Sequence, residues 1–191
     1  MLSWIGSPDA QSRKIVFLDR DGVINEDSPH YIKHWSEFRI YSDALEALRQ
    51  LRENGVCVVL ISNQSALHRG LMQWGDFWDI HDRMIEAVRR AGGDLLAAFY
   101  CPHRPDEKCL CRKPLPGMIQ AAAKLFGFQL DTAFMIGDRM TDIQAATHAG
   151  CRPIMLERET EGQQAPPVAS GSAGVRCFRT LTEAVSAVFK D

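Results

Sequence analysis

The chain has 191 residues, 46% of them hydrophobic and 24% charged, with a net charge of −2. This profile suits one folded domain and excludes global disorder, a collagen-like repeat, and a surface charged strongly enough to make nucleic acid or an anionic membrane the main partner. No apolar run reaches the roughly 20 residues of a membrane span, and the N-terminus lacks the basic start and apolar stretch of a secretory signal. A cytoplasmic location follows as an expectation. In that compartment six cysteines point to metal or redox chemistry more than to a disulfide framework.

In chain order, residues 14–18 (KIVFL) form the first of several short, near-continuously apolar runs, the habit of strands buried on both faces of a parallel sheet. A polar and aromatic stretch, 19–38, follows. Ala44, Leu45, Leu48 and Leu51 recur at helical spacing, with Ser42 or Asp43 as N-cap and Gly55 just past the end. Residues 56–61 (VCVVLI) read as a second strand. Phe77, Ile80, Met84, Val88 and Ala91 make a second helical stripe, stopped by Gly92 and Gly93, and 95–100 (LLAAFY) a third strand. After a loop at 101–115 rich in Cys, Pro, Arg and Lys, Pro116 opens a third helix that Gly127 ends. A strand at 133–136, a helix at 141–148 ended by Gly150, and a strand at 153–156 complete the alternation. Residues 157–174 are expected to be a mobile loop, and Thr180-x-x-Glu183 reads as a capping box for a last helix. Strands alternating with helices predict an α/β fold, a doubly wound parallel sheet in one domain spanning 1–191, with the first strand and a small insert at 14–40. In such sheets ligands bind beyond the carboxyl ends of the strands.

Those ends are chemically loaded. The first strand runs into Asp19-Arg20-Asp21-Gly22-Val23-Ile24-Asn25. A single Asp there would be an ordinary polar turn. Two carboxylates at i and i+2 can face one crevice, which is costly without a cation, and Mg²⁺ suits a pair of carboxylates with phosphate oxygens. The fourth strand ends in Gly137-Asp138-Arg139-Met140-Thr141-Asp142. One of these carboxylates can be a helix N-cap, but beside Asp19 the first becomes a further Mg²⁺ ligand and Asp142 a partner for a nearby cation. Ser62, Asn63, Gln64 and Ser65 end the second strand with groups suited to a phosphate oxygen, and Arg112 and Lys113 stand where a fixed cation is needed, just before the third helix.

Cys101, His103, Cys109 and Cys111 form Cys-x-His-x5-Cys-x-Cys, set among prolines and charges. Free cysteines are often small core residues, and Cys57, Cys151 and Cys177 read that way. Three cysteines and one histidine close together instead complete a tetrahedral set for structural Zn²⁺, with no open position. Zinc would fix the loop at 101–115, and with it Lys113, where there is little apolar side chain to form a core.

Together, Asp19-Arg20-Asp21-Gly22, Ser62, Lys113 and Gly137-Asp138-x-x-x-Asp142 resemble, in order, the motifs of the haloacid dehalogenase (HAD) superfamily of phosphatases, over roughly 14–157. The resemblance implies a HAD-like Rossmannoid fold in which Asp19 is the nucleophile that becomes an aspartyl-phosphate and Asp21 is the acid, then base. It also implies Mg²⁺ held by Asp19, the Asp21 carbonyl and Asp138, with Ser62 and Lys113 stabilising the phosphoryl group. The zinc loop and the absence of a large cap domain narrow the resemblance to the D-glycero-D-manno-heptose 1,7-bisphosphate phosphatases and their relatives, the histidinol-phosphate phosphatases. Asn63-Gln64-Ser65 and Cys111-Arg112-Lys113-Pro114 match the heptose family's pattern. Three departures stand out: Ser62 for the usual Thr, Ala66-Leu67-His68 for Gly-Ile-Ala before Arg69-Gly70, and Arg139 for a Lys.

The expected substrate-binding set is Arg20, Asp27, Tyr31, Lys33, Asn63, Gln64, Ser65, Arg69, Arg112 and Arg139. Singly, Lys33, Arg69, Arg112 and Arg139 would each be a solvated surface charge. As a cluster they suit a second phosphate and would repel the ammonium and imidazole of histidinol phosphate. The expectation is therefore a Mg²⁺-dependent phosphatase acting as a monomer on a small phosphorylated sugar, releasing the 7-phosphate of a heptose 1,7-bisphosphate for lipopolysaccharide or S-layer precursors. The alternatives are histidinol phosphate or another small sugar phosphate.

Overall fold

The computed structural model describes residues 1–6, 14–158 and 175–190. Its strands are β1 (Leu2–Ile5), β2 (Ile15–Leu18), β3 (Cys57–Asn63), β4 (Ala97–Cys101), β5 (Phe134–Gly137), β6 (Arg152–Leu156) and β7 (Arg176–Phe178). Its α-helices are α1 (Ser42–Glu53), α2 (Trp74–Arg90), α3 (Gly117–Phe126), α4 (Met140–Ala149) and α5 (Leu181–Val188). The strands join one sheet in the order β1-β4-β3-β2-β5-β6-β7, parallel except for β1, which runs antiparallel to β4.

Side chains alternate across each strand, so the apolar runs feed two cores. Val16, Leu18, Val58 and Leu60 pack with α1, α2 and α5, while Ile15, Phe17, Val59 and Ile61 pack with α3 and α4. The helices therefore cover both faces. Leu18 pairs with Leu60 on one side and with Ile136 on the other, which brings the tips of β2, β3 and β5 level. The chain leaves β2 towards β3 and leaves β5 towards β6, so a crevice opens between β2 and β5 where the winding reverses.

Three expectations change. The sheet is mixed, because residues 2–5 add an antiparallel edge that four residues with one short apolar alternation do not announce. At the start of α1 the cap position is Tyr41, with no side-chain cap. Asp43 instead accepts the Leu181 N–H at 2.7 Å and so serves the start of α5, a partner 138 residues away. Of the expected mobile loop, 159–174 lies outside the described residues. Glu157 and Arg158 are tied down: the Glu157 N–H donates to the Phe178 carbonyl, and Arg158 reaches the loop after β2.

Candidate active site

Asp19 leaves the tip of β2 almost wholly buried, its Oδ1 accepting the Arg20 N–H at 2.7 Å. Its other oxygen lies 2.8 Å from Lys113 Nζ. Lys113 is itself buried, 2.6 Å from Asp142 Oδ1, and donates to the Ile61 carbonyl at 2.9 Å. Burial works against the ammonium, but Asp142 and Asp19 outweigh it and hold its pKa above the ordinary value. A mobile surface charge has thus become a fixed one. The residues around it set its position: the Lys113 N–H donates to Asn63 Oδ1 and Asn63 Nδ2 donates back to the Lys113 carbonyl, both at 3.1 Å.

Asp19, Asp138 and Asp142 bring carboxylate oxygens within 4.8 Å of one another. Burial, with Asp142 and Asp21 adding to it against the pull of Lys113, pushes Asp19 up to about 7. Burial, with Asp19 and Asp142, pushes Asp138 up to about 8. One buried oxygen of Asp138 has no hydrogen-bond partner among the described residues. Buried carboxylates so reluctant to ionise, with one oxygen unpartnered, fit a site for a hard divalent cation. Gly22 makes this approach possible. Its φ is +81°, and a Cβ there would stand 2.2 Å from Asp138 Oδ2.

Asp21 behaves differently. Burial opposes its charge, but the Arg20 guanidinium and hydrogen bonds from Asn25 and Gln64 hold its pKa below the usual carboxylate value. Arg20 Nη2 reaches both Asp21 oxygens, at 2.8 and 3.0 Å, with Nε at 3.1 Å from Oδ1. Asn25 donates at 3.0 Å and Gln64 at 2.8 Å. Gln64 Nε2 also donates to Ser62 Oγ at 2.9 Å, linking the hydroxyl on β3 to the carboxylate on the loop after β2.

Above these groups lies a cleft of about 570 Å³. It brings together Asp19, Asp21, Asp27, Tyr31, Asn63, Ser65, Arg69, Arg112, Lys113 and Arg139 of the expected set. Other members are placed outside its lining. Arg20 is buried beneath Asp21, its guanidinium 5.5 Å from the Phe38 ring centroid. Lys33 donates to the carbonyls of His30 and Tyr31 and pairs with Glu37, so the near backbone, not the cleft, takes its charge. Gln64 and Ser62 are buried at the cleft base. Arg139 reaches the cleft but is paired with Asp27. Ser28, Pro29, Pro105 and Thr141 also line it, and Asn25 supports Asp21 from below. Asn25 stood in the motif after β2, and its signal was a polar residue directly after two apolar ones.

Cys101, His103, Cys109 and Cys111 converge beside the cleft. Cys101 Sγ lies 3.4 Å from His103 Nδ1 and 3.6 Å from Cys109 Sγ; Cys111 Sγ lies 3.3 Å from His103 Nδ1 and 3.6 Å from Cys109 Sγ. Four ligands at ordinary Zn–S and Zn–N lengths in a tetrahedron stand about 3.5–3.8 Å apart. The set therefore fits a tetrahedral metal ion, and the sulfurs are too far apart for a disulfide. The loop is pressed onto the start of α3: a Cβ on Gly117 would stand 2.2 Å from the Leu110 carbonyl oxygen. Cys57, Cys151 and Cys177 are buried or half-buried away from this set.

The chain belongs to the haloacid dehalogenase-like hydrolases, whose family model matches residues 10–150 and so takes in Asp19, Lys113, Asp138 and Asp142. The more particular likeness is to D-glycero-beta-D-manno-heptose-1,7-bisphosphate 7-phosphatases. That of Bordetella bronchiseptica is 42% identical over 144 residues, covering 75% of this chain and 80% of that protein. That of Yersinia pestis is 33% identical over 187 residues, covering 94% of this chain and 99% of that protein. A crystal structure of the B. bronchiseptica D,D-heptose 1.7-bisphosphate phosphatase, complexed with magnesium and phosphate, superposes with a TM-score of 0.84 at 37% identity, covering 93% of this chain and 98% of that one.

Proposed function

We propose that the chain is a Mg²⁺-dependent phosphatase that removes the 7-phosphate of D-glycero-D-manno-heptose 1,7-bisphosphate. The observation that carries this reading is the arrangement of cations in the cleft. Lys113 is committed to Asp19 and Asp142, and Arg139 to Asp27. Arg69 and Arg112 remain at the wall. Arg112 spends one nitrogen on the His103 carbonyl, at 3.1 Å. One phosphate at Asp19 does not need these two arginines, whereas a substrate with a second phosphate does. The relatives named above act on such a bisphosphate.

In this reading an Asp19 oxygen attacks phosphorus, the bond to O7 of the sugar breaks, and the phosphoryl group is carried on Asp19. Asp21 gives a proton to the leaving sugar oxygen, then takes one from the water that releases phosphate. Arg20 favours the anionic, proton-accepting form of Asp21. Phosphoryl oxygens arriving beside it add negative charge and raise its proton affinity for the first step. Lys113, fixed 2.8 Å from Asp19, would offset the charge on the phosphoryl oxygens, and Ser62 is held by Gln64. Mg²⁺ held by Asp19, Asp138 and the Asp21 carbonyl would supply the charge neutralisation that a carboxylate needs to approach a phosphate dianion. The Cys101, His103, Cys109 and Cys111 set is read as a structural zinc site, and the protein as a cytoplasmic monomer; among the described residues no helix is long and apolar enough to cross a membrane.

The test is phosphate release from the heptose 1,7-bisphosphate, histidinol phosphate and an aryl phosphate, with Arg112→Ala beside the wild type. Arg112→Ala should lower kcat/KM for the bisphosphate about tenfold more than for the aryl phosphate, a difference of about 1.4 kcal/mol. A tenfold higher kcat/KM on histidinol phosphate than on the bisphosphate overturns the heptose assignment.

A further inference from the structure

Arg158, at the end of β6, belongs to none of the motifs that carry the chemistry. Its side chain is nevertheless only 12% exposed and is used at every polar atom. Nε donates to the Gly22 carbonyl at 3.1 Å and Nη2 to the Val23 carbonyl at 2.8 Å. Nη1 donates to Asp43 Oδ1 at 2.8 Å. The guanidinium carbon lies 3.8 Å from the centroid of the Tyr41 ring. Asp43 is fixed in turn by the Leu181 N–H, and the Tyr41 N–H donates to the Ile24 carbonyl at 3.0 Å.

These bonds meet on the segment that must be placed most accurately. The loop after β2 turns tightly, with the Val23, Ile24 and Asn25 N–H groups all directed to the Arg20 carbonyl, and with Gly22 in the left-handed region against Asp138. Among the described residues no backbone N–H donates to the Gly22 or Val23 carbonyl. A planar guanidinium serves both carbonyls and Asp43 from three nitrogens held in one fixed fork, whereas a lysine would have to meet all three from a single nitrogen. Asp43 balances the charge, and the Tyr41 face restricts the guanidinium to one plane.

We propose that Arg158 is a positioning residue for the reaction: by holding the Gly22 and Val23 carbonyls it sets the turn that presents Asp21, its backbone carbonyl and its carboxyl group, to the cleft. The inference rests on the roles given to Asp19 and Asp21, not on the identity of the sugar. Misplacing a reacting group by about 1 Å can cost on the order of 100-fold in rate. Lys113 and Ser62, the groups read as facing the phosphoryl oxygens, are by contrast held by Asp19, Asp142 and Gln64, none of which Arg158 contacts.

The test uses the full chain with R158M, which keeps the length and much of the packing on Tyr41 but has no donor, and R158K. On an aryl phosphate, R158M should lower kcat by about tenfold to 100-fold with KM changed less than about threefold, and R158K should fall between R158M and wild type. Mn²⁺ binding, followed by electron paramagnetic resonance without substrate, should weaken several-fold in R158M. A folded R158M with kcat within twofold of wild type and unchanged Mn²⁺ affinity overturns the proposal. So does a loss that appears only as a lower melting temperature. Should R158M fail to fold, R158K decides alone, and wild-type kcat and Mn²⁺ affinity there overturn it. Wild-type protein inactive on every phosphate ester would instead remove the reading of Asp19 and Asp21 on which the inference rests.

Discussion

Asp19 and Asp21, two residues apart, have opposite electrostatics because their neighbours differ. Burial and other carboxylates raise the first, while Arg20, Asn25 and Gln64 more than offset burial of the second. A carboxylate nucleophile must be ionised and a general acid protonated, so Mg²⁺ beside Asp19 and phosphoryl oxygens beside Asp21 would have to reverse this order before the first step. Asp19→Asn should abolish turnover by several orders of magnitude and leave the melting temperature unchanged or higher, since it removes a carboxylate crowded by Asp138 and Asp142. Retained activity above a tenth of wild type, a loss below about 1.4 kcal/mol of barrier, would contradict the assignment. A second residue-scale device is structural. His81 Nδ1 lies 2.7 Å from the Tyr100 hydroxyl, its buried Nε2 has no partner among the described residues, and burial pushes its pKa down to about 4. The unfolded chain takes up a proton below pH 6.5 that the folded one refuses until about 4. The stability His81 permits is therefore complete above 6.5 and lost as pH falls through that window, by on the order of 2–3 kcal/mol. Asp19 and Asp138 take up protons in the folded state over the same range and oppose this loss, so it is read as the difference between wild type and H81Q in urea melts at pH 7.5 and 5. Wild type should lose stability relative to H81Q on going to pH 5, and an equal pH dependence in the two proteins would show that His81 contributes nothing.

At the scale of elements, the loop between β4 and α3 has almost no apolar side chain to bury, yet it must deliver Lys113 to a buried position 2.8 Å from Asp19. Zinc on the cysteine–histidine set would supply the order that a core would otherwise supply. Purified protein should carry about one zinc per chain by metal analysis. Stripping it, or the change Cys109→Ser, should lower the melting temperature by roughly 10 °C or more, with activity lost as the loop disorders. Active protein containing no zinc, or a zinc-free form with an unchanged melting temperature, would rule out this role.

At the scale of the whole molecule, one face of the sheet carries α1, α2 and α5 and the other carries α3 and α4, while the chemistry gathers at a single edge. The far flank is closed by β1, whose Trp4 ring packs 4.9 Å from His81. Removing residues 1–6 would expose the edge of β4 and that buried histidine. The truncated chain should lose at least about 2 kcal/mol, roughly 4–8 °C in melting temperature, and aggregate more readily. A truncated protein with the wild-type melting temperature would show that the edge strand adds nothing.

The amino-acid sequence alone determined the five inner strands, the helical stripes, the acidic motifs at the tips of β2 and β5, and the Cys-x-His-x5-Cys-x-Cys set. These are local: period, residue type and spacing along a few residues decide them. What only the tertiary structure decided are encounters between segments far apart in the chain. Lys33 and Arg20 look like any cations of the set, yet one is taken up by its own loop and the other lies buried under Asp21, because the path of the backbone, not the charge, selects their partners. Asp43 reads as a cap for α1 and in fact serves α5. Arg158 has no motif at all, and its bonds to Gly22 and Val23 exist only because the strand order sets the end of β6 near the loop after β2. Local patterns state which backbone a segment can adopt; the partner of a long charged side chain depends on which distant groups the winding of the sheet brings within about 3 Å.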